Sequence, residues 1–274
     1  MAFYLIEDPK NKDLKYFIAD NLKNKKTAAV FTTRLGGVSG DDFAPLKSLN
    51  LAFKDIENPE NVLKNYAIVA DALGFPAKNI ISLNQRHTDD IIVCDEKYLA
   101  NHEFSARDTA YALTTNISGT LLCVKTADCV PILFYDEKNG AVGAAHCGWR
   151  GTLKELQKKT ALKMVEMYGS ELGEIKATVG PCISRCCYEV SDDVFEGFYN
   201  KFGSLTEPFF EKKSDGKYNC DLKGINGRLL EDIGIKAANI DVSANCTFCE
   251  EELFFSHRRD GEKRGTLAAF IGLR

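Results

Sequence analysis

Residues 120–146 read TLLCVKTADCVPILFYDEKNGAVGAAH, and three apolar runs in them organise the chain: Thr120–Lys125, Pro131–Tyr135 and Ala141–Ala145. Each has the length of a strand rather than of a helix. Asn139-Gly140 punctuates the second and third runs as a turn. The first two are separated by a polar kink, Thr126-Ala127-Asp128-Cys129-Val130-Pro131. Working outward, Ala28–Thr33, Ile80–Leu83 and Asp90–Cys94 are further short apolar runs, the first running on to Gly36-Gly37. The C-terminus predicts two strands, Leu253–Ser256 and Thr266–Leu273, around an Asp260-Gly261 turn.

Helices are interspersed. Asn58-Pro59 reads as a cap with proline at the first helical position; Val62, Tyr66, Val69 and Leu73 form one face and Gly74 ends it. Thr152 and Glu155 have capping-box spacing, with Leu153, Leu156 and Met164 at helical intervals up to Gly169. Leu222, Ile225, Leu229 and Ile233 predict a third helix stopped by Gly234. Strands outnumber helices and the two are mixed along the chain, so the expected fold is a single α/β (α+β) domain over residues 1–274 with a large mixed sheet. No glycine-rich loop follows a strand in dinucleotide or P-loop fashion, which excludes the NAD and ATP folds built on one.

A chain of 274 residues can bury a substantial core, and its 45% hydrophobic and 27% charged residues are those of a globular protein. A net charge of −4 argues against a nucleic-acid partner, which favours a basic surface. No apolar run approaches the ~18 residues that span a bilayer, so no membrane association is expected. The N-terminal MAFYLIEDPKNKD lacks a basic start and a long apolar stretch, which makes the cytoplasm the expected location. The ten cysteines are irregularly spaced, with Cys186 and Cys187 adjacent, an awkward framework for disulfides. Most are expected to be small buried hydrophobes. Cys246-Thr247-Phe248-Cys249 lacks a partner pair of similar spacing and reads as local packing.

With only four histidines, each can be weighed. His102, between Asn101 and Glu103, reads as a solvated surface residue, and His257 as a site wall or a solvated turn. His87 follows an apolar strand, and His146 ends another in which small residues allow a close approach. Between them lies Cys129. Two imidazoles and a thiolate form a zinc set with a fourth position open to water, the catalytic pattern. The same residues are compatible with a core histidine and a buried cysteine satisfied by backbone groups. A Cys129 nucleophile with His146 as base is a third reading, to which His87 would be surplus.

Taken together, the motifs become specific. Phe31-Thr32-Thr33-Arg34 with Gly36-Gly37-Val38-Ser39, Leu49-Asn50-Leu51, Asn84-Gln85-Arg86-His87, Ala127-Asp128-Cys129-Val130-Pro131 and His146-Cys147-Gly148-Trp149-Arg150-Gly151 occur in one order. Gly180-Pro181-Cys182-Ile183, Cys187-Tyr188-Glu189-Val190 and Ser256-His257-Arg258-Arg259-Asp260 complete the series. The chain resembles, over almost its whole length, the bacterial purine nucleoside phosphorylase family formerly labelled multicopper polyphenol oxidase or laccase-domain protein. The resemblance implies a four-layer α/β/β/α sandwich and a zinc ion held by His87, Cys129 and His146. It also implies phosphorolysis of adenosine, inosine and methylthioadenosine, with deamination of adenosine. Two positions depart from the family pattern. Tyr111 stands where an acidic residue is common, and the usual Gly-Arg near the C-terminus is Gly265-Thr266, with Arg264 displaced toward the other side of the turn.

Phosphorolysis requires a held phosphate, for which the arginine fork is suited; Arg34 is the first candidate, then Arg258 and Arg150. Asn50 is a candidate for sugar or base, or a plain turn residue. Zinc makes water nucleophilic at neutral pH for attack on C6 of adenine, and Asp128 is the candidate proton shuttle or the group that orients a ligand histidine. Copper is a possible substitute metal, but four histidines cannot furnish the several centres of a multicopper oxidase. A nucleoside-sensing zinc protein without turnover is the non-enzymatic alternative.

Overall fold

The computed structural model describes residues 3–40, 44–85, 88–102 and 108–274. Its strands in chain order are β1 (Phe3–Glu7), β2 (Lys15–Ala19), β3 (Thr27–Thr32), β4 (Ile80–Ser82), β5 (Ile91–Val93), β6 (Ala112–Thr115), β7 (Leu121–Thr126) and β8 (Val130–Asp136). They continue with β9 (Ala141–Cys147), β10 (Lys176–Val179), β11 (Glu189–Val190), β12 (Phe210–Lys212), β13 (Tyr218–Cys220), β14 (Ile240–Val242) and β15 (Leu267–Leu273). The helices are α1 (Pro59–Leu73), α2 (Glu96–Asn101), α3 (Trp149–Leu153), α4 (Leu156–Tyr168), α5 (Asp192–Phe202), α6 (Leu222–Asp232) and α7 (His257–Asp260). Among the described residues no helix is long and apolar enough to cross a membrane.

Two six-stranded sheets carry the fold, one ordered β1-β2-β3-β15-β7-β4 and the other β14-β10-β8-β9-β6-β5. Both are mixed: β4–β7, β5–β6 and β10–β14 are parallel, and the other pairs are antiparallel. The strands are apolar on both faces, and their period-two alternation assigns each face to a different core. Phe31, Leu122, Val124 and Ala269 from the first sheet meet Leu113, Leu133, Tyr135 and Val142 from the second in the core between them. The opposite face of the first sheet, with Val30, Leu121, Cys123 and Phe270, is covered by Val62, Tyr66, Val69 and Leu73 of α1. The outer face of the second, with Val130, Ile132, Phe134 and Ala145, is covered by Leu156 and Met164 of α4 and Ile225 and Leu229 of α6. Helix, sheet, sheet and helix stack in that order, the expected four layers. A small third sheet, β11-β13-β12, lies beyond them.

Asn58 caps α1, its side chain accepting from the Glu60 N–H, and Gly74 ends the helix with φ +79°. Two expectations are corrected. Thr152 is inside α3 and its hydroxyl donates back to the Gly148 carbonyl, while Glu155, with φ +59°, separates α3 from α4. Leu253–Ser256 is not a strand: Phe254 and Phe255 are buried in a loop, and Ser256 caps α7 by accepting from the Arg259 N–H.

Candidate metal centre

The chain passes from the first sheet to the second through the kink between β7 and β8. Asp128 turns it there with φ +85°, a conformation aspartate tolerates better than most side chains. Cys129 immediately precedes β8, whose Pro131 faces His146 on β9. The sulfur and the imidazole converge on Gly148, the residue before α3. A Cβ placed on Gly148 would stand 3.0 Å from Cys129 Sγ and 3.7 Å from His146 Nε2. A side chain at 148 would therefore press on both the thiol and the imidazole, and that donor pair suits zinc or copper. His87, the third expected ligand, lies outside the described residues.

The imidazole is held from three sides. His146 Nδ1 lies 2.7 Å from the Lys125 carbonyl oxygen and 2.6 Å from Gln85 Nε2, so this side of the ring is engaged by the protein and Nε2 is the nitrogen on the side of Gly148. Gln85 brackets the same peptide: its Oε1 accepts from the Lys125 N–H at 2.8 Å and its Nε2 donates to the Lys125 carbonyl at 2.8 Å. Tyr111 packs edge-on against the imidazole at 5.1 Å. The position that departs from the family pattern thus contacts the histidine ring directly. Gln85→Leu is expected to release both groups of this peptide and weaken metal binding by about 10–100-fold, the usual effect of losing a group that orients a ligand. A competition titration with a chromophoric chelator would read it; unchanged affinity would remove Gln85 from the design of the site.

Asp128 accepts from three donors: Thr247 Oγ1 at 2.6 Å, Ser256 Oγ at 3.0 Å and the Arg258 N–H at 2.7 Å. Its carbonyl accepts from the Ile183 N–H at 3.0 Å. With its carboxylate and its carbonyl together, Asp128 thus ties the segments at Ile183, Thr247 and Ser256–Arg258 beside Cys129. Burial, reinforced by Asp128, pushes the Cys129 thiol up to about 11, with Arg264 drawing it back. An activated nucleophilic cysteine requires the opposite shift. Cys147 is wholly buried in the core under α4 and packs there.

The arginines are distributed around this centre. Arg34 stacks on Phe255 at 4.6 Å and donates to the carbonyls of Lys47 (2.9 Å) and Glu251 (3.2 Å). Arg258 donates from both terminal nitrogens to the Glu189 carbonyl at 3.1 Å and lies over the Tyr188 ring. Arg150 is exposed and stacks on Trp149 at 4.0 Å. Arg264 has a largely buried guanidinium, which lowers its pKa, and the charges of Glu262, Asp128, Cys129 and Asp260 act against that shift. Next to it, Gly265 has no room for a Cβ, which would meet the Phe255 ring at 2.4 Å, and Lys54 Nζ holds the Arg264 carbonyl at 2.6 Å.

Asn50 takes the turn role. It is wholly buried, its Oδ1 accepts from the N–H groups of Ala52 and Thr266, and its Nδ2 donates to the Ala52 carbonyl and Glu57. His102 is not solvated: it stacks on Tyr98 at 5.4 Å with both ring nitrogens buried. His257 is exposed at the start of α7. The Cys246–Cys249 pair does have a partner, since Cys186 and Cys187 bring their sulfurs beside it. Six of the other cysteines are Cys94, Cys123, Cys129, Cys147, Cys182 and Cys220, all buried except the half-buried Cys129.

A family model described as multi-copper polyphenol oxidoreductase laccase matches residues 28–274. The purine nucleoside phosphorylase YlmD of Bacillus subtilis (strain 168) is 33% identical over 93% of this chain and 91% of its own length. The adenosine deaminase RL5, from an unknown prokaryotic organism, is 32% identical over 90% of this chain and 94% of its own. The crystal structure of YlmD from Geobacillus stearothermophilus matches with a TM-score of 0.86 at 32% identity, covering 96% of each chain. On sequence and on fold alike, the chain belongs to the multi-copper polyphenol oxidoreductase laccase family, alongside relatives named purine nucleoside phosphorylase and adenosine deaminase.

Proposed function

We propose that the chain is a zinc-dependent enzyme of purine nucleosides. It cleaves adenosine, inosine and methylthioadenosine with phosphate, giving the free base and ribose 1-phosphate or methylthioribose 1-phosphate, and it deaminates adenosine to inosine. The observation that carries this reading is the convergence of Cys129 Sγ and His146 Nε2 over Gly148, in a family whose relatives bear those two enzyme names. Cys129 and His146 would hold the ion with His87 as third ligand, a set that a single copper ion could also occupy. When bound, zinc supplies a Lewis acid that makes water nucleophilic at neutral pH.

The chain's own residues supply the rest. Lys125, Gln85 and Tyr111 hold the ring of His146 in place. Arg264 and Arg258 place positive charge beside Cys129 and Tyr188, where an oxyanion of phosphate would be held, and Arg34 adds a third guanidinium stacked on Phe255. Arg150, stacked on Trp149, forms an outer wall. Asp128 keeps Thr247, Ser256 and the Arg258 backbone in place around the thiolate ligand, and it is the carboxylate nearest in sequence for proton transfer.

A paired assay tests the reading: metal content of the purified protein, then adenosine turnover with phosphate, with and without a chelator. Zinc at the Cys129–His146 centre, with phosphate-dependent adenine release and inosine formation both lost on chelation, is the expected result. Metal-free protein without nucleoside turnover would overturn it in favour of a Cys129 hydrolase, which would survive chelation and be inactivated by alkylation.

A further inference from the structure

Four cysteines outside the centre at Gly148 meet in space. Cys186 and Cys187 lie in the loop after β10, and Cys246 and Cys249 in the loop after β14. β10 and β14 are adjacent parallel strands, Val179 facing Val242, so the two loops leave the sheet at the same end. The pairing continues beyond the strands: Cys182 bridges Cys246, and the Thr247 N–H donates to the Cys182 carbonyl at 3.1 Å.

The four Sγ atoms all lie within 4.8 Å of one another. Cys187–Cys249 is 3.3 Å, Cys186–Cys249 3.7 Å and Cys186–Cys246 3.8 Å. Four thiolates bound tetrahedrally at a Zn–S distance of about 2.3 Å stand roughly 3.8 Å apart, so the cage matches a single ion. An iron–sulfur cluster places several atoms between its cysteines and needs a wider cage. The backbone is arranged to suit. The Ser184 N–H donates to Cys246 Sγ at 3.4 Å, and the Cys187 N–H donates to the Ser184 carbonyl at 2.9 Å, closing the turn that presents the adjacent pair. Arg259 donates to the carbonyls of Thr247 (3.2 Å) and Phe248 (2.9 Å), which places a cation beside the C-x-x-C turn. Cys186 and Cys249 are exposed, an unfavourable place for free thiols but a normal one for the outer ligands of a surface metal knuckle.

We propose that Cys186, Cys187, Cys246 and Cys249 bind one zinc ion as a closed, structural four-thiolate site, separate from the Cys129–His146 centre. Its four thiols bind as thiolates and release their protons to solvent. The ion ties together two loops that both reach Asp128: Thr247, inside the C-x-x-C turn, donates to its carboxylate, and Ile183, near the adjacent pair, donates to its carbonyl. The inference does not depend on nucleoside chemistry.

The test uses the full chain purified under reducing conditions, with zinc counted by native mass spectrometry and elemental analysis. Two zinc ions per chain are expected, one lost readily to a chelator and one retained until unfolding. His146→Ala should keep the retained ion, and Cys249→Ser should lose it. Should Cys249→Ser fail to fold, cobalt(II)-loaded His146→Ala decides, since a four-thiolate site gives intense sulfur-to-cobalt charge-transfer absorption. Folded Cys249→Ser with unchanged zinc content, cobalt-loaded His146→Ala without that absorption, or a Cys187–Cys249 disulfide in the reduced preparation would each overturn the proposal.

Discussion

Gly148→Val is expected to weaken metal binding at the Cys129–His146 centre while leaving the fold intact. The backbone at 148 is extended, with φ −63° and ψ 171°, a conformation valine adopts without strain. The whole effect therefore falls on the side chain. Even a single Cβ would sit 3.0 Å from Cys129 Sγ and 3.7 Å from His146 Nε2, and the two further methyl groups of valine crowd this pair further. Overpacking of this kind costs about 1–3 kcal/mol, which as lost metal affinity is roughly 5- to 150-fold. Gly148→Ala should fall between wild type and valine. The check is zinc affinity by competition with a chromophoric chelator beside adenosine turnover, with the circular dichroism spectrum as control for folding. A folded Gly148→Val protein with unchanged zinc affinity would show that the ion lies elsewhere.

The second large effect concerns Asp128, where two contributions can be separated. Asp128→Ala removes the acceptor of Thr247, Ser256 and the Arg258 N–H and also places a Cβ-bearing residue without a polar side chain at φ +85°. The hydroxyls can rotate toward other acceptors but the backbone N–H cannot, and the expected loss of stability is about 3–5 kcal/mol. Asp128→Gly loses the same acceptor but relieves the backbone, and should recover about 1 kcal/mol relative to alanine. Equal melting temperatures for the two would show that the backbone conformation carries no cost. Asp128→Asn keeps one acceptor and is expected to retain zinc while losing most deamination. Unaltered turnover in that variant would remove Asp128 from the mechanism.

What could be read in the sequence divides along the range of the interactions. The strands near Ala28–Thr33, Thr120–Lys125 and Ala141–Ala145 were legible because short apolar runs and the Asn139-Gly140 turn carry the information, and α1 because its cap and its terminal glycine are adjacent to it. The Thr152–Glu155 spacing misleads because the helix already starts at Trp149, after Gly148, and Thr152 bonds backward instead of capping forward. Phe254 and Phe255 resemble a strand because burial, not pairing, is what makes them apolar. Arg264 depends on where Gly265 can pass the Phe255 ring, which no local pattern reports. The meeting of Cys186 and Cys187 with Cys246 and Cys249 follows from the adjacency of β10 and β14, a fact of sheet order.

The placement of Cys129 and His146 has a mechanical consequence. The cysteine leaves the crossover from the first sheet, and the imidazole, carried by the second, is fastened to Lys125 of the first. An ion shared between them would join the β8 and β9 side of one of the two stacked plates, and the contact of His146 Nδ1 with Lys125 would tie its position to the other. Sliding of one plate against the other would then turn the imidazole and disturb the coordination. Repacking at Leu133 or Leu122, buried in the seam, would thus be transmitted to the coordination sphere as a change of spacing without touching any residue that binds substrate.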